Sequence, residues 1–136
     1  MGTAINLISP VIIAVVYIAL CSLLPEPTRQ KFNALMIAGA GAVYTSGGGM
    51  GTWELAFTAV LTFCAYKGLS DYRWIGIAWL LHTAWDVVHH VKGAPIIPAF
   101  EHSSLGCAIC DPILAVWMFR GAPAIQTWLT PKRAVV

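Results

Sequence analysis

Apolar residues come in long blocks along this chain, separated by short polar breaks. Ala4 to Leu24 is an almost unbroken apolar run, about the 20 residues that cross a bilayer. Asn6, Ser9, Cys21 and Ser22 interrupt it, and none is charged. Pro25-Glu26-Pro27 ends it, because proline cannot continue a helix. Thr28 to Asn33 reads as a polar loop, and Ala34 to Tyr44 as an apolar segment in which Gly39 and Gly41 would let another helix approach closely. Ser46 to Gly51 is a flexible glycine-rich break. Thr52 is placed to cap the next helix, Trp53 to Tyr66. A polar turn, Lys67 to Arg73, leads into Tyr72 to Val91. Gly93 to His102 holds Pro95 and Pro98 and reads as a loop. Ser103 or Ser104 would cap a last helix to about Phe119, with Asp111-Pro112 in its first turns, where proline is tolerated. Gly121 to Val136 reads as a surface tail, with Trp128 at an interface.

This pattern predicts one all-α domain over 1–136, a polytopic transmembrane helix bundle of about five helices. The spans fall near 4–24, 34–45, 53–66, 72–91 and 104–119, with a tail over 121–136. The two short segments around the glycine loop leave a second reading open. They could be one broken hairpin packed inside the protein, where irregular backbone is tolerated, giving four spans.

Composition sharpens the membrane reading. Hydrophobic residues make up 58% of the 136 and charged residues 10%, against about 25% charged in soluble domains. Mean hydropathy is +0.73. The net charge of +2 is small and the basic residues form no stripe, so no nucleic-acid partner is expected. The cysteines are scattered, with only Cys107 and Cys110 close, which is no disulfide scaffold. The first run lacks the basic start of a signal peptide and is expected to be retained. With five spans and the N-terminus outside, Arg29, Lys31, Lys67, Arg73, Arg120, Lys132 and Arg133 fall inside and Lys92 outside. The positive-inside bias favours that orientation, with the C-terminus inside.

One stretch stands against the apolar background: His82-Thr83-Ala84-Trp85-Asp86-Val87-Val88-His89-His90. On a helix, His82, Asp86 and His89 share an arc of roughly 60°. Ionisable groups in a bilayer need partners, water or a metal. His, Asp, Glu and Cys are the side chains that bind transition metals. The expected metal shell is therefore His82, Asp86 and His89, completed from His90, Glu54, Cys110 or Asp111. Zinc or iron suits such a mixture, and Glu54, Asp86 and Asp111 are the candidate catalytic carboxylates. With the orientation above, these residues fall in the outer half of the bilayer. The competing readings are a structural hydrogen-bond network and a proton or ion path. Glu54 may serve only its helix start. Cys107-x2-Cys110 is either a redox dithiol or a pair of small packing residues. Glu101 and His102 read as solvated loop residues, Trp79 and Trp85 as packing, and Cys21 and Cys64 as ordinary buried cysteines.

Pro25-Glu26-Pro27 with Arg29, the glycine loop followed by Trp53-Glu54, the His82 to His90 motif and Ser103-Ser104-Leu105-Gly106-Cys107-Ala108-Ile109-Cys110-Asp111-Pro112 together resemble a family of small bacterial integral membrane proteins of unknown function. The resemblance runs from about Ala4 to Pro123. It implies a multi-pass protein of the bacterial inner (plasma) membrane and carries over no activity.

The expected function is a membrane protein with a buried His/Asp/Glu metal site, and the residues leave open whether it is a metalloenzyme acting on a lipid-soluble substrate. The alternatives are a proton or metal-ion transport module, a thiol-redox protein using Cys107 and Cys110, and a small subunit of a larger membrane complex. The bilayer is the expected partner, and a homo-oligomer is compatible with the size.

Overall fold

The computed structural model describes residues 2–46, 48–97 and 99–129, and these form helices and turns with no strand. The helices are α1 (Gly2–Cys21), α2 (Thr28–Val43), α3 (Thr52–Gly68), α4 (Tyr72–Val91), α5 (Ser103–Phe119) and the short α6 (Ile125–Leu129), with a 3₁₀ turn at Tyr44–Ser46. Helix α4 is the hub: it packs on α5, α3 and α2, while α1 lies outside and packs mainly on α5. Within α1, Ala4–Cys21 is long and apolar enough to cross a membrane, and only 17% of that stretch is buried. It is therefore not the core helix of a globular domain.

The α2–α3 pair is a helical hairpin closed by the 3₁₀ turn and the glycine loop. Gly41 permits the close approach foreseen for it, since a methyl there would lie 2.8 Å from Leu61 Cβ. Gly39 faces nothing within 4 Å. Thr58 Oγ1 donates to the Gly41 carbonyl at 2.8 Å across the same seam.

Several boundaries differ from the sequence reading. Helix α1 stops at Cys21, short of Leu24. There Ser22 turns its hydroxyl back onto the Ile18 carbonyl at 2.7 Å, a local bond that competes with the helix ladder. Thr28 to Asn33 is the first part of α2 rather than a loop. Its early amides are satisfied by Pro25 and Pro27 carbonyls, and Arg29 and Asn33 share the buried face. Thr52 is the first helical residue of α3, not its cap; Gly51 holds the cap position at φ 62°. Ser103 and Ser104 do not cap α5 either. Their hydroxyls accept the amides of Ile97 and Ile96 at 3.1 Å and so pin the proline loop. Asp111-Pro112 sits in the middle of α5, not in its first turns. Part of the foreseen tail forms α6, held by Ile125 N–H on Ser22 Oγ at 3.1 Å. The Trp128 side chain and residues 130–136 lie outside the described residues.

Candidate functional site

Helix α4 builds the site. Four residues advance a helix about 40° past a full turn, and seven fall about 20° short of two turns, so His82, Asp86 and His89 share one face. All three are buried. Three other elements bring residues to that face. The 3₁₀ turn supplies Tyr44, α3 supplies Glu54 from its first turn, and the middle of α5 supplies Asp111. Each of these is also buried.

The deep half is a trio. His82 Nδ1 lies 2.7 Å from Asp111 Oδ2 and 2.9 Å from Asp86 Oδ2. One nitrogen carries at most one hydrogen, and the aligned bond goes to Asp111. Asp86 Oδ2 is left buried with no well-angled partner. The other Asp86 oxygen accepts a short hydrogen bond from Tyr44 Oη. The Tyr44 ring lies between the two histidines, 5.4 Å from His82 and 4.8 Å from His89, centroid to centroid. One ligand atom each from His82, Asp86 and Asp111 falls within a 4.8 Å cluster, so the trio could hold a metal ion.

The shallow half is a pair. His89 Nε2 lies 3.2 Å from Glu54 Oε1. At the end of α4, Gly93 takes φ 65°, with Gly93 N–H on the His90 carbonyl and Ala94 N–H on the His89 carbonyl. This is the Schellman pattern, which needs a left-handed residue and favours glycine. It turns the Ala94 carbonyl back to lie 2.9 Å from His89 Nδ1. A carbonyl can only accept, so Nδ1 carries the hydrogen. In neutral His89 the lone pair is then on Nε2, facing a carboxylate oxygen, and Nε2 has no hydrogen-bond partner. Glu54 is held from two other sides, by Trp85 Nε1 at 3.0 Å and by the Met50 amide at 3.1 Å. Trp85 is fixed in turn by stacking on Phe57 at 4.7 Å. Gly48 presses on the same carboxylate: a Cβ there would lie 2.0 Å from Glu54 Oε1 and 2.7 Å from the Tyr44 carbonyl.

An open cleft of about 700 Å³ reaches Tyr44 and Glu54 between the glycine loop and α3. His82, Asp86, His89 and Asp111 do not line it.

Two residues of the expected shell fall elsewhere. His90 is exposed, with its ring 6.4 Å from that of His102; it follows His89 by about 100°, which carries it off the face. Cys110 is half-buried and packs against the apolar core, and its neighbour Asp111 takes the inward position. Cys107 and Cys110 are free thiols. Glu101 and His102 are exposed. Glu54 does serve its helix start, through Met50, but it also meets Trp85 and His89. Sequence reasoning misses Tyr44, Gly48 and Ala94, and it reads Trp85 as packing alone; nothing in the chain marks Tyr44 beyond its place two residues before the glycine loop.

The sequence pattern of a family of unknown function, DUF6010, matches residues 5–124. No curated protein and no solved structure matches the chain. The chain belongs to the DUF6010 family, and the geometry above has to speak for the chemistry.

Proposed function

We propose that this member of the family is a multi-pass protein of the bacterial inner membrane that holds a divalent transition metal on His82, Asp86 and Asp111. The observation that carries the metal reading is the trio itself. It buries two carboxylates against one imidazole, with an Asp86 oxygen that has no well-angled hydrogen-bond donor although His82 Nδ1 lies 2.9 Å away. With both aspartates ionised the trio keeps a negative charge even when His82 is protonated. Burying uncompensated charge costs several kcal/mol per ion, and a divalent cation removes that cost. Mixed carboxylate and imidazole donors suit zinc, iron or manganese, with zinc or iron the first candidates.

The membrane reading rests on exposed apolar surface. Ile5, Ile8, Ile12 and Val16 on α1 are at least half exposed, and so are Leu55 and Phe63 on α3. Soluble monomers rarely leave more than a few hundred Å² of contiguous apolar surface uncovered. Arg29, Lys67, Arg73 and Arg120 lie at helix ends or turns opposite the glycine loop, and Lys92 lies beside it. The positive-inside rule then places the metal site in the outer half of the membrane, with the N-terminus outside. A metal there would polarise a bound water or carbonyl. The substrate it would meet is lipid-soluble, because the bundle is walled by apolar side chains. Metal analysis of protein purified in mild detergent tests the reading. Wild type should carry at least one equivalent of one transition metal, and a His82→Ala/Asp111→Asn variant of unchanged helicity should carry less. A wild type that holds none and takes up none from added zinc or iron would overturn it.

A further inference from the structure

We infer that Glu54 and His89 form a second cation position, separate from the trio and reached by the glycine-loop cleft at Glu54. The inference rests on the metal reading of the trio. Its own support is the arrangement of acceptors. Nδ1 of His89 is committed to the Ala94 carbonyl, which leaves Nε2 and Glu54 Oε1 facing each other at 3.2 Å. Neutral His89 and ionised Glu54 would put two lone pairs there with no donor between them. That separation matches the edge of a tetrahedral zinc centre, about 3.3 Å. A histidine whose far nitrogen is pinned by a carbonyl is the usual build of a metal-ligating imidazole, because the second hydrogen bond fixes the tautomer. Here the pin comes from the helix cap at Gly93 and Ala94.

The two positions differ in exposure at one ligand. Glu54 lines the cleft, whereas His89, His82, Asp86 and Asp111 do not. Catalytic metal sites keep a coordination position for water or substrate, and an ion held here would have that position on its Glu54 side. With two protein ligands instead of three, this position binds more weakly and empties first.

The test is a zinc titration of the whole protein in detergent, counted by native mass spectrometry. Wild type should saturate at two zinc ions per chain. Glu54→Gln and His89→Gln should each saturate at one, and Trp85→Phe should bind the second ion at least tenfold more weakly with the first unchanged. If wild type saturates at one and the Glu54 and His89 variants also bind one, the second position is wrong and the trio stands. If wild type saturates at one and these variants bind none, all five residues serve a single centre and the separation is wrong. If wild type binds none, the metal reading beneath both fails. Trp85→Phe keeps the Phe57 stack, so it still reports should the ligand variants fail to fold.

Discussion

At the end of the bundle away from the glycine loop, Tyr17 Oη donates to Asn33 Oδ1 at 2.9 Å, and Asn33 Nδ2 donates to the Arg29 carbonyl at 2.8 Å. Arg29 places two nitrogens on Glu26 Oε1, at 2.9 and 2.7 Å, and Tyr72 Oη donates to the same oxygen at 2.7 Å. These contacts tie α1, α2, α4 and the connecting turn together. Charges balance, donors meet acceptors, and the Glu26 side chain is 43% exposed. At the glycine-loop end the polar groups are as numerous and more deeply buried, yet Asp86 Oδ2, His89 Nε2 and Trp79 Nε1 have no well-angled hydrogen-bond partner. Carboxylates there outnumber the cations that could neutralise them. A network evolved only to hold helices would resemble the first, because each unsatisfied buried group costs about 1–3 kcal/mol. The second keeps that cost, as functional sites do when stability is exchanged for reactivity.

The sharpest way to break this contrast is substitution with the sign of the stability change as readout. Asp111→Asn removes a buried charge and a metal ligand at once. In metal-free protein it should leave the thermal midpoint unchanged or raise it. In zinc-loaded protein it should abolish the metal-dependent stabilisation, with affinity at the trio falling by about 100-fold or more, close to 2.8 kcal/mol. A midpoint that falls in both states would make Asp111 part of a structural latch.

Gly48→Ala comes next. Its methyl has no room beside Glu54 and the Tyr44 carbonyl, so the pair should be displaced while the trio keeps its ion. Zinc counting separates these outcomes. Asn33→Ala at the opposite end should cost about 1–3 kcal/mol, because the Tyr17 hydroxyl and Arg29 carbonyl lose their buried partner. That loss should be equal with and without metal in thermal melts. Tyr44→Phe deprives Asp86 of its donor and should weaken metal binding about 10–100-fold, measured by competition with a chelator. Glu26→Gln should change stability least, by about 0–1 kcal/mol, as partly exposed ion pairs do.

How much of this was legible in the sequence depended on the range of the interaction. The span of α4 and its His82, Asp86, His89 face follow from helical periodicity, which is local, and the structure agrees with both. Glu54 and Asp111 stood out by residue type in an apolar chain, but their partners did not. Asp111 had been placed in the first turns of its helix, and Asp86 and His82 meet it only because α5 packs along α4. His90 and Cys110 enter the expected shell through adjacency to His89 and Asp111, which face the buried cluster, although neighbours on a helix diverge by about 100°. The balanced latch went unread because Arg29 and Asn33 were assigned to a loop. Only their helical spacing brings both to the buried face. Tyr44 could not be found from the chain, since its role exists only once α2 ends against α4.

The measurement that tests the central claim most directly is the thermal midpoint of wild type in mild detergent, with and without a strong chelator. A ligand that binds only the folded state raises stability by about 2.7 kcal/mol at a hundred times its dissociation constant. The chelator should therefore lower the midpoint, added zinc should restore it, and Asp111→Asn should show a much smaller change in both. A wild-type midpoint that ignores both chelator and metal would contradict the account and make the glycine-loop network a second latch.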